Sequence, residues 1–336
     1  MMIIIVDQSV YWGMSMSDMI ETEQPSLRRT LRGTAENYEH TVSRALVRRV
    51  AISEVLITDW SRLDTDTFLL FAQFPRAHSF YSTVGGVHDP LIVAEAARQA
   101  TFVVCHAALS VPLHSNFVMN DFSYRIHPAA MLAGAAPTEL AVLLTCVEPR
   151  YRGGVLGSMG VRLVFYRDGV AAAEVTASLT CMPSRVYRRL REGRRRRPLQ
   201  EQGSSSRLLP AAVIPALVGR DRAEDVVLAA TADRRGYLLR SDQNHPVLFD
   251  HPTDHVSGMV LMEGMRQAAQ LVRQPYRVLP IGLSAEFDRF VEFDSDCRIE
   301  ASALAADADE DVSVEIRIEQ DGELAARATV LTKVLD

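Results

Sequence analysis

Cysteine is scarce in this chain. Its 336 residues hold four, Cys105, Cys146, Cys181 and Cys297, far apart and without a CxxC pair. A disulfide framework and a cysteine-rich zinc site are therefore poorly supported, and free buried thiols in a reducing cytoplasm fit better. No apolar run approaches the roughly 20 residues of a membrane helix. The apolar start, Met1 to Val6, meets Asp7 at once and has neither a basic flank nor a cleavage site, so it does not read as a signal peptide. Basic charge is not in excess: the net charge is −6 and the pI about 5.9, which opposes a general nucleic-acid binder. There is no glycine-rich nucleotide fingerprint, and Gly157-Ser158-Met159-Gly160 is not the G-x-S-x-G elbow of lipase-type hydrolases. What is present, 48% hydrophobic and 23% charged residues, is an ordinary globular composition with length for two domains.

One stretch departs from that average. From Arg185 to Arg207 there are nine arginines and two glutamates, a local balance of +7 inside a chain of −6. Like charges repel and few apolar residues interrupt them, so the stretch reads as a solvated linker, with electrostatic attraction of an acidic partner as its functional alternative.

The linker lies near the middle because the chain repeats itself. Ile92-Val93-Ala94-Glu95-Ala96-Ala97-Arg98-Gln99-Ala100 corresponds to Val260-Leu261-Met262-Glu263-Gly264-Met265-Arg266-Gln267-Ala268, and the shared glutamates, arginines and glutamines are 168 residues apart. Asp168-Gly169 and Asp321-Gly322 each join two strand-like runs, and Asp-Gly supplies the positive φ angles of a tight hairpin. Each E-x-x-R-Q block sits on a predicted helix. The first starts at Asp89-Pro90 and runs to about Leu109; the second runs from about Ser257 to Arg273, ahead of Pro275. Both are apolar nearly all round and must be buried on most faces. Strands are predicted at Glu139–Val147, Gly160–Tyr166, Val170–Met182, Ala285–Phe293, Cys297–Leu304, Val312–Glu319 and Leu324–Val334. A long buried helix followed by antiparallel strands, twice, is an α+β arrangement.

These features resemble the hotdog fold, a curved antiparallel sheet wrapped around one long helix, here in tandem. Pro252-Thr253-Asp254-His255-Val256-Ser257-Gly258-Met259-Val260-Leu261-Met262-Glu263 is similar to the helix start of hotdog acyl-carrier dehydratases. His245-Pro246, Phe249-Asp250-His251-Pro252, the Glu263–Ala268 block, His88-Asp89-Pro90 with Glu95 to Gln99, and Glu54-Val55-Leu56-Ile57-Thr58-Asp59-Trp60 resemble the A-factor biosynthesis (AfsA-type) γ-butyrolactone synthase family over about residues 40–336. Ser257 departs from the proline expected there in many relatives. The first 40 residues and the arginine-rich segment are not explained by the family pattern.

Taken together, the repeat, the charged segment and the resemblance give residues 1–39 as an extension, 40–183 and 208–336 as two hotdog domains, and 184–207 as the linker; the resemblance itself covers the two domains. It implies a cytoplasmic acyltransferase that joins a β-ketoacyl chain, carried as a thioester on acyl carrier protein, to dihydroxyacetone phosphate. Ring closure then gives a butenolide phosphate, precursor of a γ-butyrolactone signal. No metal or other cofactor, no nucleic acid and no membrane is implied, and the chain is expected as a monomer with an internal pseudo-dimer or as a homodimer. A furan-type signal synthase, a non-catalytic acyl or carrier binder, and a dehydratase or thioesterase stand as alternatives, because fold alone does not choose among them.

Glu263 and Arg266 lie at i, i+3 on one face of an otherwise apolar helix, where neither charge is stable alone. They form either an internal ion pair or a site. In the catalytic reading Glu263 is the general base and Arg266 holds phosphate or oxyanion, at the centre of a pocket between the two units. Glu95 contributes from the first half, and Arg98 and Gln267 join Arg266 as substrate-binding candidates. His245 and His251 flank the second helix as proton-transfer candidates, each with a structural alternative. Cys105 sits in an apolar helix segment and reads as an inert thiol.

Overall fold

A computed structural model of the protein describes residues 31–192, 209–231, 236–304 and 311–335. Helix α1 (Pro90–Val103) starts at Asp89, whose carboxylate accepts the Leu91 N–H at 3.0 Å, with Pro90 where no N–H is needed. A wider turn, Val104–Ala108, extends it. Helix α2 is Ser184–Glu192 and helix α3 is Gly258–Val272. Every residue of α1 is buried except Arg98 and Phe102, and α3 is buried from Met259 to Gln270. The stretch Pro90–Ala108 is apolar and long enough to cross a membrane by composition, but it is mostly buried inside the protein.

Burial of both helices is achieved by one sheet. Its strands are β1 (Ile57–Arg62), β2 (Thr67–Phe74), β3 (Asn116–Ile126), β4 (Thr138–Arg152), β5 (Val155–Arg167), β6 (Val170–Met182), β7 (Leu228–Ala230), β8 (Tyr237–Leu239), β9 (Val278–Phe287), β10 (Cys297–Ala303), β11 (Val312–Gln320) and β12 (Glu323–Val334). They pair antiparallel in the order β1-β2-β4-β5-β6-β3-β9-β12-β11-β10-β8-β7. The first six strands in that order come from the first half and the last six from the second. The halves join where β3 pairs with β9, Asp121 opposite Glu286 through Arg125 opposite Gly282, and Ser123 Oγ meets Ser284 Oγ at 2.9 Å. Buried side chains of both halves form one continuous core that includes both long helices. In β11 burial alternates with period two, so one sheet face packs on the helix and the other meets solvent. The β5–β6 and β11–β12 hairpins turn on Asp168-Gly169 and Asp321-Gly322, all four residues at positive φ, as predicted.

Three expectations change. The strand predicted at Ala285–Phe293 is β9, which begins at Val278 and ends at Phe287; Pro280 sits at its register shift against Leu331 and Thr332, where a missing N–H is tolerated. The extension expected over 1–39 packs on the sheet from Leu31 onward: Leu31 is buried on the outer face with Leu69, Phe71, Leu143 and Val164, and Tyr38 meets Phe71 edge-on at 5.6 Å. The arginine-rich segment opens as α2, and Arg191 is buried, bound to Asp254 and Glu292 and stacked 4.5 Å from the Phe290 ring centre. The rest of that segment lies outside the described residues.

Because the core is continuous, the two halves should unfold together. Ile92→Ala, at a fully buried α1 position, should cost about 2–5 kcal/mol. The check is urea unfolding by far-UV and near-UV circular dichroism, with a lower midpoint and coincident transitions expected. Two separate transitions would show that the halves are energetically independent.

Candidate active site

Each long helix carries a carboxylate at its centre, and each carboxylate is met by the same three groups. Glu95 takes Arg49 Nε at 3.0 Å and Nη2 at 2.8 Å, Arg98 Nε at 2.9 Å and Nη2 at 2.7 Å, and Gln99 Nε2 at 2.7 Å. Glu263 takes Arg220 Nε at 2.9 Å and Nη2 at 2.7 Å, Arg266 Nε at 2.9 Å and Nη2 at 2.7 Å, and Gln267 Nε2. Both glutamates are buried. Burial alone pushes a carboxyl group up, but the paired guanidinium charges outweigh it and hold both near 2. Gln99 accepts from Leu56 N–H and donates to the Glu54 carbonyl; Gln267 does the same with Val227 and Asp225. The third guanidinium nitrogen of each loop arginine crosses to the other half: Arg49 Nη1 donates to the Val247 carbonyl at 2.8 Å, and Arg220 Nη1 to the Phe80 carbonyl.

The histidines follow the same symmetry. His245 Nδ1 accepts the N–H groups of Val247 and Leu248, and its Nε2 is 3.1 Å from Asp225 Oδ1. His78 Nδ1 accepts from Phe80 and Tyr81, with Nε2 3.4 Å from Glu54. Both nitrogens of His245 are therefore engaged, Nδ1 by the Val247 loop and Nε2 by Asp225.

The symmetry breaks at a cavity of about 730 Å³ between α1, the sheet and the loop that leads into α3. Apolar groups from Phe117, Phe122, Leu163, Leu179 and Met259 line one wall; Arg48, Arg49, Arg98 and His251 line another. Glu95, Glu263, Arg266, Gln267 and His245 do not line it, so the cavity is bordered by the first-half arginines and not by the Glu263 and Arg266 pair expected at its centre. The residues differ in size at equivalent helix positions: Ala97 faces the cavity where α3 carries the fully buried Met265. Arg98 keeps 20% side-chain exposure, whereas Arg266 keeps 4%. At the helix starts, Asp89 caps α1 and lies 3.3 Å from Arg220, while Ser257 begins α3 without a side-chain cap.

Four side chains that line the cavity hold buried polar atoms with no hydrogen-bond partner: Arg48 Nε, Tyr81 Oη, His251 Nδ1 and Ser257 Oγ. Native structures leave few such atoms, and each calls for an explanation such as ordered water, strain or a ligand; four of them on one cavity make it the candidate site. His251 Nδ1 is 3.8 Å from Asp250 Oδ2, and burial together with the charges of Arg98 and Arg49 lowers its proton affinity. The imidazole is therefore neutral at pH 7. The Cys105 thiol is buried, and its contact with Cys181 pushes its pKa well up, which disfavours the thiolate.

Arg49 and Arg220 escaped the sequence reading, although a signal existed. Arg49 is followed five residues on by Glu54-Val55, and Arg220 by Asp225-Val226, 171 residues further along.

One helix wrapped by antiparallel strands, twice in one chain, with a cavity between the units, defines a double hotdog protein. The family model described as the A-factor biosynthesis hotdog domain matches residues 33–183 and 202–336, and the chain belongs to this AfsA family. It is 41% identical over 281 residues to a 2-oxo-3-(phosphooxy)propyl 3-oxoalkanoate synthase of Streptomyces virginiae, covering 84% of this chain and 94% of that one. It is 38% identical over 300 residues to the protein of the same name from Streptomyces griseus, covering 88% and 95%. Among solved structures, an acyl-ACP thioesterase from Bacteroides thetaiotaomicron aligns with a TM-score of 0.46 and 12% identity, over 79% of this chain and 98% of that one.

The buried clusters make a stability prediction. With folded carboxyls near 2 against an ordinary value of about 4.3, their contribution is full above the unfolded value and is lost as pH falls from about 5 toward 2. Glu263→Gln leaves the buried Arg266 without an ion-pair partner and Arg220 with Asp89 alone, and should destabilise by about 3–5 kcal/mol. Urea midpoints measured from pH 7 to pH 3 check both: the wild type should lose stability on acidification, and the variant should start lower and lose less. An unchanged midpoint in the variant would show that the cluster does not hold the fold.

Proposed function

We propose that this chain transfers a β-ketoacyl group from a thioester to a hydroxyl of dihydroxyacetone phosphate, within the cavity between α1 and the start of α3. Family membership and the name shared by the curated relatives, an ester of a 3-oxoalkanoate with a phosphooxypropyl alcohol, support the reaction. The observation that carries the placement is the set of four unpartnered polar atoms around one cavity with an apolar wall.

The acyl chain lies along Phe122, Leu163 and Met259. The thioester carbonyl meets the start of α3, where Ser257 leaves the helix uncapped and the positive end of its dipole stabilises a developing oxyanion. Neutral His251 takes the proton of the attacking hydroxyl, with the Asp250 carboxylate 3.8 Å from its Nδ1. The new C–O bond forms, the C–S bond breaks and the thiol leaves with a proton. The acidic methylene between the two acyl carbonyls then condenses on the triose ketone with loss of water, giving the butenolide phosphate. In this reading Glu95 positions Arg49 and Arg98, and Glu263, Arg266, Gln267 and His245 build the frame.

The units 40–183 and 208–336 supply the two sides of the cavity, so one chain holds a complete site and acts as a monomer. Arg185, Arg188 and Arg189, on exposed positions of α2 beside the cavity-lining Tyr187 and Leu190, attract an acidic acyl carrier protein. Free cysteines throughout suit a cytoplasmic setting.

The purified chain, given a β-ketoacyl thioester and dihydroxyacetone phosphate, should yield the ester and its ring-closed phosphate by mass analysis. Release of free β-keto acid at the same rate with or without the triose phosphate would make it a thioesterase and overturn the proposal. His251→Asn should lower the rate about a hundred- to ten-thousandfold. The wild-type rate should fall as pH drops through a value below the ordinary histidine range, because only the neutral ring accepts a proton. The variant should lack that acid limb.

A further inference from the structure

We infer that Arg48, with Arg98 beside it, forms the subsite for the phosphate of the triose acceptor. The inference rests on the proposed acyl transfer and deepens it.

Arg48 has no carboxylate partner among the described residues, whereas Arg49 and Arg98 share Glu95. Its Nη2 donates to the carbonyls of Leu113 at 3.0 Å and of Ser115, which fixes the guanidinium in place. Its Cζ lies 4.8 Å from the Phe117 ring centre and 5.4 Å from that of Phe102, and Arg98 Cζ lies 4.9 Å from the same Phe102 ring. Two guanidiniums thus share one aromatic ring on the cavity wall, and Arg48 Nε is buried without an acceptor. Burial and the charge of Arg98 both act against the Arg48 cation. Asp250 is near, but its carboxylate is taken by the N–H groups of Val50 and Ala51.

The duplicated half shows what the arrangement looks like when no anion is needed. Position 219, the counterpart of 48, is glycine at φ +69, and Arg48 holds the same left-handed backbone at φ +55. Glycine adopts that conformation freely and arginine rarely does. The first half keeps a large cation where the second keeps the residue the backbone prefers. Around the Glu263 cluster, Asp89 at the start of α1 puts a carboxylate 3.3 Å from Arg220, whereas the equivalent residue at the start of α3 is the uncharged Ser257. So the Glu95 cluster has Arg48 beside it and, among the described residues, no second carboxylate ion-paired to its loop arginine; Asp254 and Asp288 also line the cavity, with Asp254 bound to Arg191. A phosphate monoester, carrying about −1.5 to −2 charge at pH 7 with three acceptor oxygens, supplies the negative charge that Arg48 has no ion-pair partner for and accepts from the guanidinium groups of Arg48 and Arg98. Guanidinium groups suit that ligand because they donate in a fixed, forked geometry.

The phosphodiester of a carrier's prosthetic arm is the other source of such a group, and the kinetics separate them. Calorimetry with glycerol 3-phosphate as probe should show binding to the wild type and none with glycerol. Arg48→Gln should weaken it at least about tenfold, and Arg48→Lys should fall between. In turnover, Arg48→Gln should raise KM for dihydroxyacetone phosphate and leave KM for the thioester unchanged; a rise only in the thioester KM would reassign the subsite to the carrier arm and overturn the inference. Should Arg48→Gln fail to fold, Ser257→Asp, which gives the start of α3 the carboxylate that Asp89 gives the start of α1, should abolish glycerol 3-phosphate binding. Equal affinity for glycerol 3-phosphate and glycerol, or unchanged affinity in a folded Arg48→Gln or Ser257→Asp protein, would overturn the inference. A chain that binds glycerol 3-phosphate through Arg48 but makes no ester would keep the subsite and refute the proposed activity.

Discussion

A carboxylate at the middle of an apolar helix must find its cations before the sheet can close over it, and this requirement organises both halves of the molecule. Glu95 and Glu263 each gather one arginine from their own helix and one from a loop upstream, with a glutamine that ties the same helix to the first strand region. The loop arginines do more than neutralise charge. Through Nη1 each reaches a backbone carbonyl of the opposite half. Helix, sheet and the contact between halves therefore depend on the same two guanidiniums. Buried ion pairs seldom add net stability over apolar packing, but losing one partner is costly. The clusters thus make the arrangement of the two halves specific as well as tight.

Once the frame is held twice over, one copy can change. The second copy is filled: Met265 stands at the place of Ala97, Asp89 pairs with Arg220, and glycine replaces arginine at position 219. The first copy is left open, with small residues on its helix and polar atoms without partners along the cavity. In the proposed reading, substrate is held mainly by what differs between the halves, and what they share is mostly scaffold, with Arg98 serving both. In a duplicated fold the most repeated motif is therefore a poor guide to the chemistry, and departures from the repeat are a better one.

That distinction sets how much could be read from sequence. The two helices, their starts and the Asp-Gly hairpins were legible because each follows from local rules, and the E-x-x-R-Q blocks announced buried charges by their apolar surroundings. Arg49 and Arg220 were hidden because their partners lie more than 40 residues away. Pro280 concealed the first part of β9, since a proline inside a strand is tolerated only where the register shifts, and that is a property of the partner strand. Arg191 looked like one charge in a solvated run, and only Asp254, Glu292 and Phe290, brought in from far along the chain, explain its burial. Which copy of the site is open could not be read at all from a motif present in both.

The central claim is that two equivalent frames enclose one working cavity, on the α1 side. Native mass spectrometry with a non-hydrolysable β-ketoacyl thioester analogue tests it directly. The account predicts one analogue per chain, and none for Ala97→Trp, which fills the cavity from the helix. Two analogues per chain, or undiminished binding by the folded Ala97→Trp protein, would contradict it.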